Sequence, residues 1–178
     1  MISGNYNCAV GPYAFSSLTT SSYNAAVGAR AGRYATGGYN TFVGYRAGDG
    51  TSGSATGSYN TAVGEKSLQS FTSASENVAL GRRSLLNVTS GGQNVCIGYH
   101  SGDAITTGTN NVSIGHDAAG TLTTGSNNIA IGHNTQPSSN TVSNEITLGD
   151  ANIATLRCNV QTISSLSDAR DKTNVQEL

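Results

Sequence analysis

A cassette of five residues governs this chain: Asn, two residues that are usually small or β-branched, one aliphatic residue, then Gly. It closes nine times, at Gly11, Gly28, Gly44, Gly64, Gly81, Gly98, Gly115, Gly132 and Gly149. Six of the eight intervals are 17 residues; the others are 16 (Gly28 to Gly44) and 20 (Gly44 to Gly64). A fixed period of this size is the mark of a stacked repeat architecture. It favours a scaffold or a binding surface over an enzyme.

Alignment on the closing Gly sorts the residues into columns. The residue before it is Val10, Val27, Val43, Val63, Leu80, Ile97, Ile114, Ile131 or Leu148. Two residues earlier stand Cys8, Ala25, Thr41, Thr61, Val78, Val95, Val112, Ile129 and Ile146. Between them lie mostly small residues, Ala9, Ala26, Phe42, Ala62, Ala79, Cys96, Ser113, Ala130 and Thr147. Alternation with period two predicts a strand of about four residues per repeat, with its β-branched face turned inward. The Gly ends the strand at a bend that needs positive φ or close backbone approach. A small column three residues past the Gly (Ala14, Ala31, Ala47, Ser67, Ser84, Ser101, Ala118, Thr135, Asn152) predicts a second short strand. Segments such as Thr106-Thr107-Gly108 and Thr123-Thr124-Gly125 read as turns.

The resulting fold class is all-β: an elongated parallel β-roll or β-solenoid of nine repeats of about 17 residues. Parallel stacking at about 4.8 Å per coil makes a rod of roughly 40 Å. Asn7, Asn24, Asn40, Asn60, Asn77, Asn94, Asn111 and Asn128 share one column, which ends in Glu145. Stacked amides can hydrogen-bond along such a rod. The acidic residue fits an atypical terminal repeat. Residues 1–150 form the shaft, and 151–167 a terminal strand and junction in which Leu156, Cys158 and Val160 alternate.

The chain has no Trp and only three Phe, and each coil offers about two aliphatic side chains to a core. A lone thin coil with so little to bury is marginal. Small residues at repeated positions let neighbouring chains approach closely. The expected state is an intertwined homotrimer, although periodicity alone does not supply the number three.

Net charge is −1 and charged residues are 11% of the chain. The linear sequence shows no basic stripe, which argues against nucleic-acid binding, and Arg82-Arg83 reads as a solvated corner. No run is apolar enough for membrane insertion. Cys8, Cys96 and Cys158 are odd in number and widely spaced; the first two read as small hydrophobes in strand columns. His116 and His133 share a register, but without a carboxylate partner or His-x-His pair they are weak metal ligands. No metal or cofactor is expected.

Past the repeats stands Ser167-Asp168-Ala169-Arg170-Asp171-Lys172-Thr173-Asn174-Val175. It resembles the opening motif of the self-cleaving intramolecular chaperone domain (peptidase S74 family) that follows endosialidases and many phage tail fibres: Ser-Asp-x-Arg-x-Lys-x-Asn and an aliphatic residue. The Asn-x-x-aliphatic-Gly coils likewise resemble phage fibre repeats and, more distantly, the heads of trimeric autotransporter adhesins. The resemblance implies a trimeric fibre whose chaperone cuts itself off between Ser167 and Asp168, with Ser167 as nucleophile and Lys172 as its base. Residues 168–178 hold only the start of such a domain, so self-cleavage is not expected of this chain itself.

The column five residues before the Gly begins Tyr6, Tyr23, Tyr39, Tyr59 and continues Glu76, Gln93, Asn110, Asn127, Asn144. Four stacked tyrosines read first as packing, and secondly as a glycan platform, because Tyr offers a flat apolar face with a polar tip. The long repeat carries three extra residues around Asp49-Gly50-Thr51-Ser52-Gly53, a candidate recognition loop. The expected function is a structural and host-adhesion segment of a homotrimeric phage tail fibre or tailspike, located on the virion. Its partners are further copies of itself, a host cell-surface glycan or protein, and other virion tail proteins. The alternatives are the head of a bacterial trimeric autotransporter adhesin and an ice-binding β-solenoid. No pair of carboxylates recurs as a glycosidase would require.

Overall fold

A computed structural model describes residues 4–157. Each cassette forms one three-residue strand: β1 (Cys8–Val10), β2 (Ala25–Val27), β3 (Thr41–Val43), β4 (Thr61–Val63), β5 (Val78–Leu80), β6 (Val95–Ile97), β7 (Val112–Ile114), β8 (Ile129–Ile131) and β9 (Ile146–Leu148). They make one parallel sheet in sequence order. Like columns pair with like throughout, as Val78 with Val95 and Leu80 with Ile97. The described residues contain no helix. This is a β-solenoid of one strand per coil. The longer interval is absorbed in the loop after β3, because Thr41, Phe42 and Val43 still pair with Thr61, Ala62 and Val63.

The inward face is the opposite of the one the sequence suggested. The middle residue of each inner strand is buried (Ala26, Phe42, Ala62, Ala79, Cys96, Ser113, Ala130), while the β-branched columns on either side face outward. Period-two alternation separates two faces but does not say which is inside. Here the coil is narrow, and small residues line the sheet's inner side. Bulk comes instead from two columns past the Gly. Phe15, Leu68 and Leu85 lie four residues after it, and Leu18, Phe71, Val88, Ile105 and Leu122 lie seven after it; all are buried. Phe42, the one large side chain on an inner strand face, stacks tilted between Phe15 and Phe71 at 6.0 and 5.9 Å. Gly48 and Gly32 make room for it: a Cβ at either would meet the Phe42 ring at less than 3.0 Å.

The second strand does not form. Residues three past the Gly sit in a turn and donate their N–H back to that Gly carbonyl, at 3.2–3.4 Å from Ala14 through Ala118. The residue before each of them is the cause. Tyr13, Arg30, Arg46, Lys66, Arg83, His100, Asp117 and Asn134 all lie at φ between 51° and 60°, in the left-handed region that interrupts a strand. The closing glycines behave as expected on both counts. Gly11 through Gly132 have φ of 124–136°, and an added Cβ on those up to Gly115 would lie under 3.0 Å from the backbone of the glycine one coil on.

The amide ladder forms along the whole stack. Each Asn Oδ1 accepts the backbone N–H of the Asn one coil further on, from Asn7 to Asn128, and Asn128 accepts from Glu145, at 2.8–3.1 Å. The Nδ2 groups mostly reach forward to a carbonyl of the next coil, as Asn94 Nδ2 donates to Gly108 at 2.9 Å. Asn24 through Asn128 are buried. Burial without partners would be costly, and here the ladder supplies the partners.

Candidate interaction surface

Because the strands' inner face belongs to the core, their outer face is a regular surface that runs the length of the nine-stranded sheet. Its centre is aliphatic. The column before the Gly is exposed in most coils, with Val27 at 42%, Ile97 at 36% and Ile131 at 41%. The column two residues earlier is half-buried or exposed, and neither column holds one charged residue. Nine coils of outward Val, Ile, Leu, Thr and Ala form an uncharged stripe as long as the rod.

The tyrosine column borders this stripe on one side. Tyr6–Tyr23, Tyr23–Tyr39 and Tyr39–Tyr59 have ring centroids 5.1, 4.9 and 4.8 Å apart and planes within 15°. All four rings are more than half exposed. Their broad faces, however, are turned to one another. Along its length the ladder offers ring edges and hydroxyls, not flat platforms. Beyond Tyr59 the column becomes polar: Gln93 donates to Glu76 at 3.0 Å and Asn127 to Asn144 at 2.7 Å.

A second ladder borders the stripe on the other side, in the column just after the Gly. Arg82 bonds Glu65 at 3.0 Å, and its guanidinium also donates to Tyr99 Oη at 3.0 Å. Tyr99 stacks on His116 at 5.0 Å, and His116 on His133 at 5.2 Å. The Arg82 bond holds the Glu65 carboxyl below its ordinary pKa, with the Lys66 charge adding to the effect. Of this ladder, only His116 and His133 stand out as a pair in the linear sequence. The rest was readable from the same 17-residue register.

The other expected sites fall out as follows. The long repeat's loop is pinned by Asp49, which is buried and takes Arg33 at 2.9 Å and Arg46 at 2.8 Å. Only its tip, Thr51–Ser54, is exposed. Thr36, Thr72, Thr89, Thr106 and Thr123 donate their hydroxyl protons to carbonyls of the next coil at 2.8–3.2 Å, so this threonine column presents no row of free donors to ice. Cys96 is buried and its thiol is pushed up to about 12 by desolvation, which makes it inert packing. Among the described residues no three His, Cys, Asp or Glu gather to hold a metal, and no helix is long and apolar enough to cross a membrane. Leu156 is exposed and in no strand. Cys158, Val160, Ser167, Asp168 and Lys172 lie outside the described residues.

No family model, no curated protein and no solved structure matches this chain. Its outer surface must be interpreted from its own geometry.

Proposed function

We propose that this chain is a structural and host-adhesion segment of a homotrimeric phage tail fibre or tailspike. The observation that carries the reading is the uncharged aliphatic stripe on the outer face of all nine strands. Monomeric proteins rarely leave so long an apolar patch in water. Its uniformity along the stack asks for a partner that is equally long, straight and periodic, and a second and third copy of the same chain meet that requirement. Three rods joined through this face form a stiff shaft with the two bordering ladders on its flanks. Repetition of weak contacts over three chains then gives avidity toward a host surface glycan or protein. The motif around Ser167 supports a chaperone-assembled fibre on the virion, with other tail proteins as further partners. Ser167 and Lys172 would supply self-cleavage only where the rest of that domain is present. Light scattering after size-exclusion chromatography tests the reading. A mass of three chains is expected, and a stable monomer at micromolar concentration overturns it.

A further inference from the structure

The 17-residue register stacks cations that the linear sequence scatters. Arg30, Arg46, Lys66 and Arg83 stand two residues past the Gly in four successive coils, each at φ of 58–60°. Their backbone N–H groups bond the preceding coil's carbonyls at 2.8–3.0 Å, which fixes the column vertically. Arg33 and Arg82 lie beside it on the same corner, three residues on and one residue back. Among the described residues, only two carboxylates answer these six cations. Asp49 takes Arg33 and Arg46, and Glu65 takes Arg82 and, at 3.7 Å, Lys66. Arg30 and Arg83 have no carboxylate among the described residues, and the Arg83 Nε–H is buried without an acceptor. The corner therefore holds an excess of four positive charges over coils two to five.

This arrangement carries two local costs. A left-handed backbone is unfavourable for Arg and Lys. Like charges repeated at the strand spacing of about 4.8 Å repel. The first cost is common to the whole column, from Tyr13 to Asn134, whereas an external polyanion would offset the second. Exposed tyrosines are interleaved with the cations: Tyr13 heads the column at 68% exposure and Tyr45 adjoins Arg46 at 46%. Unlike the tyrosines of the long ladder, neither ring stacks on another aromatic ring among the described residues. These exposed rings can offer an apolar surface to a sugar ring.

We infer that the Arg30–Arg46–Lys66–Arg83 corner binds a linear anionic glycan carrying about one carboxylate, phosphate or sulfate per sugar. The coil spacing is close to one sugar residue of an extended glycan, so each coil meets one anionic group in turn. Nucleic acid is the competing polyanion. Its bases call for a run of free ring faces, and the long tyrosine ladder offers ring edges instead. The inference rests on the adhesive reading and names the ligand class for it.

The test uses the intact chain with a fluorescent oligogalacturonate of defined length, read by anisotropy at low and at physiological salt. Saturable binding that weakens with salt is expected. The double variant Arg30→Asn/Arg83→Asn keeps a residue that the same column already uses at Asn134, and neither cation has a carboxylate partner to lose. It should weaken binding roughly tenfold. Glu65→Gln should strengthen binding, which a merely structural role for the corner would not produce. Absence of binding at low salt overturns the inference, as does indifference to the double variant. Equal or tighter binding of an oligothymidylate overturns it in favour of nucleic acid. Light scattering of the same samples keeps the two readings apart. A trimer that ignores the glycan sinks only this site, and a glycan-binding monomer sinks only the fibre.

Discussion

Tyr6, Tyr23, Tyr39 and Tyr59 occupy a backbone conformation at φ of 59–63° that aromatic residues avoid. A left-handed residue costs about 1–2 kcal/mol, and each aromatic stack returns about 0.5–1.5 kcal/mol. The two nearly cancel in this column, where each Tyr has a Tyr in a neighbouring coil. Lower in the column Asn110, Asn127 and Asn144 take over, and Asn tolerates this conformation best after Gly. Glu76 (φ 60°) and Gln93 (φ 60°) have neither remedy. Glu76→Asn should therefore stabilise the chain by about 0.5–1 kcal/mol, seen as a higher urea midpoint with unchanged slope; a lower midpoint refutes the assignment of strain. The amide ladder has the opposite sensitivity. Asn94→Ala would strand the buried Gly108 carbonyl and the Asn111 backbone N–H, and would leave the Asn111 amide with only its bond to Gly125. The expected loss is about 2–4 kcal/mol, and an unchanged midpoint would show that water replaces the amide.

At the scale of one coil, the cassette made the strand, the bend and the ladder legible, because each rests on a residue type that repeats without exception through most of the stack. The closing Gly is required by positive φ and by the backbone of the coil beyond it, and nothing larger fits. The side of the strand that faces inward was not legible. Val, Ile and Leu mark an apolar face, but whether the chain's own core or another surface covers it depends on how much room the coil encloses. Phe15, Phe71, Val88, Ile105 and Leu122 already fill that room from the far wall. Those residues were hidden because their columns mix Phe, Leu, Gly and Ala, so that large side chains in one coil occupy space left by small ones in the next. The terminal coil ends the ladder differently. Glu145 accepts from the Ser138 backbone and hydroxyl and from Thr147, and these bonds hold its carboxyl below the usual range. Its folded pKa lies below the unfolded one. The stability it contributes is thus present above the unfolded value and lost as pH falls through the folded value. Coil nine should loosen below about pH 4, read as faster amide exchange at Ile146–Leu148. Glu145→Gln should flatten that dependence, and an equally steep one in the variant would remove Glu145 from the cap.

For the whole molecule, the decisive feature is that the apolar face is continuous while the charges are not. The cations gather over coils two to five, whereas Asp103, Asp117, Glu145 and Asp150 lie in coils six to nine and their nearest cation in sequence beyond the stack is Arg157. A parallel trimer brings like charges of three chains to the same height, so attraction between them cannot be what joins the rods. In the proposed trimer that role falls to the aliphatic stripe. Ile97 and Ile114 sit mid-stack on that stripe, outside the buried core cluster. In an isolated chain, Ile97→Lys/Ile114→Lys places two ammonium groups in water, where repulsion between these paired positions is about 1 kcal/mol, so the fold should survive. In the proposed trimer it would bury six unpaired charges along one axis, a penalty that should dissociate the chains. The expected outcome is a fall in solution mass from three chains to one, with the β-sheet circular dichroism retained. A variant that stays trimeric would move the interface off the strand face and onto one of the flanking ladders, and the corresponding change at Tyr39 or Tyr99 would then dissociate it instead.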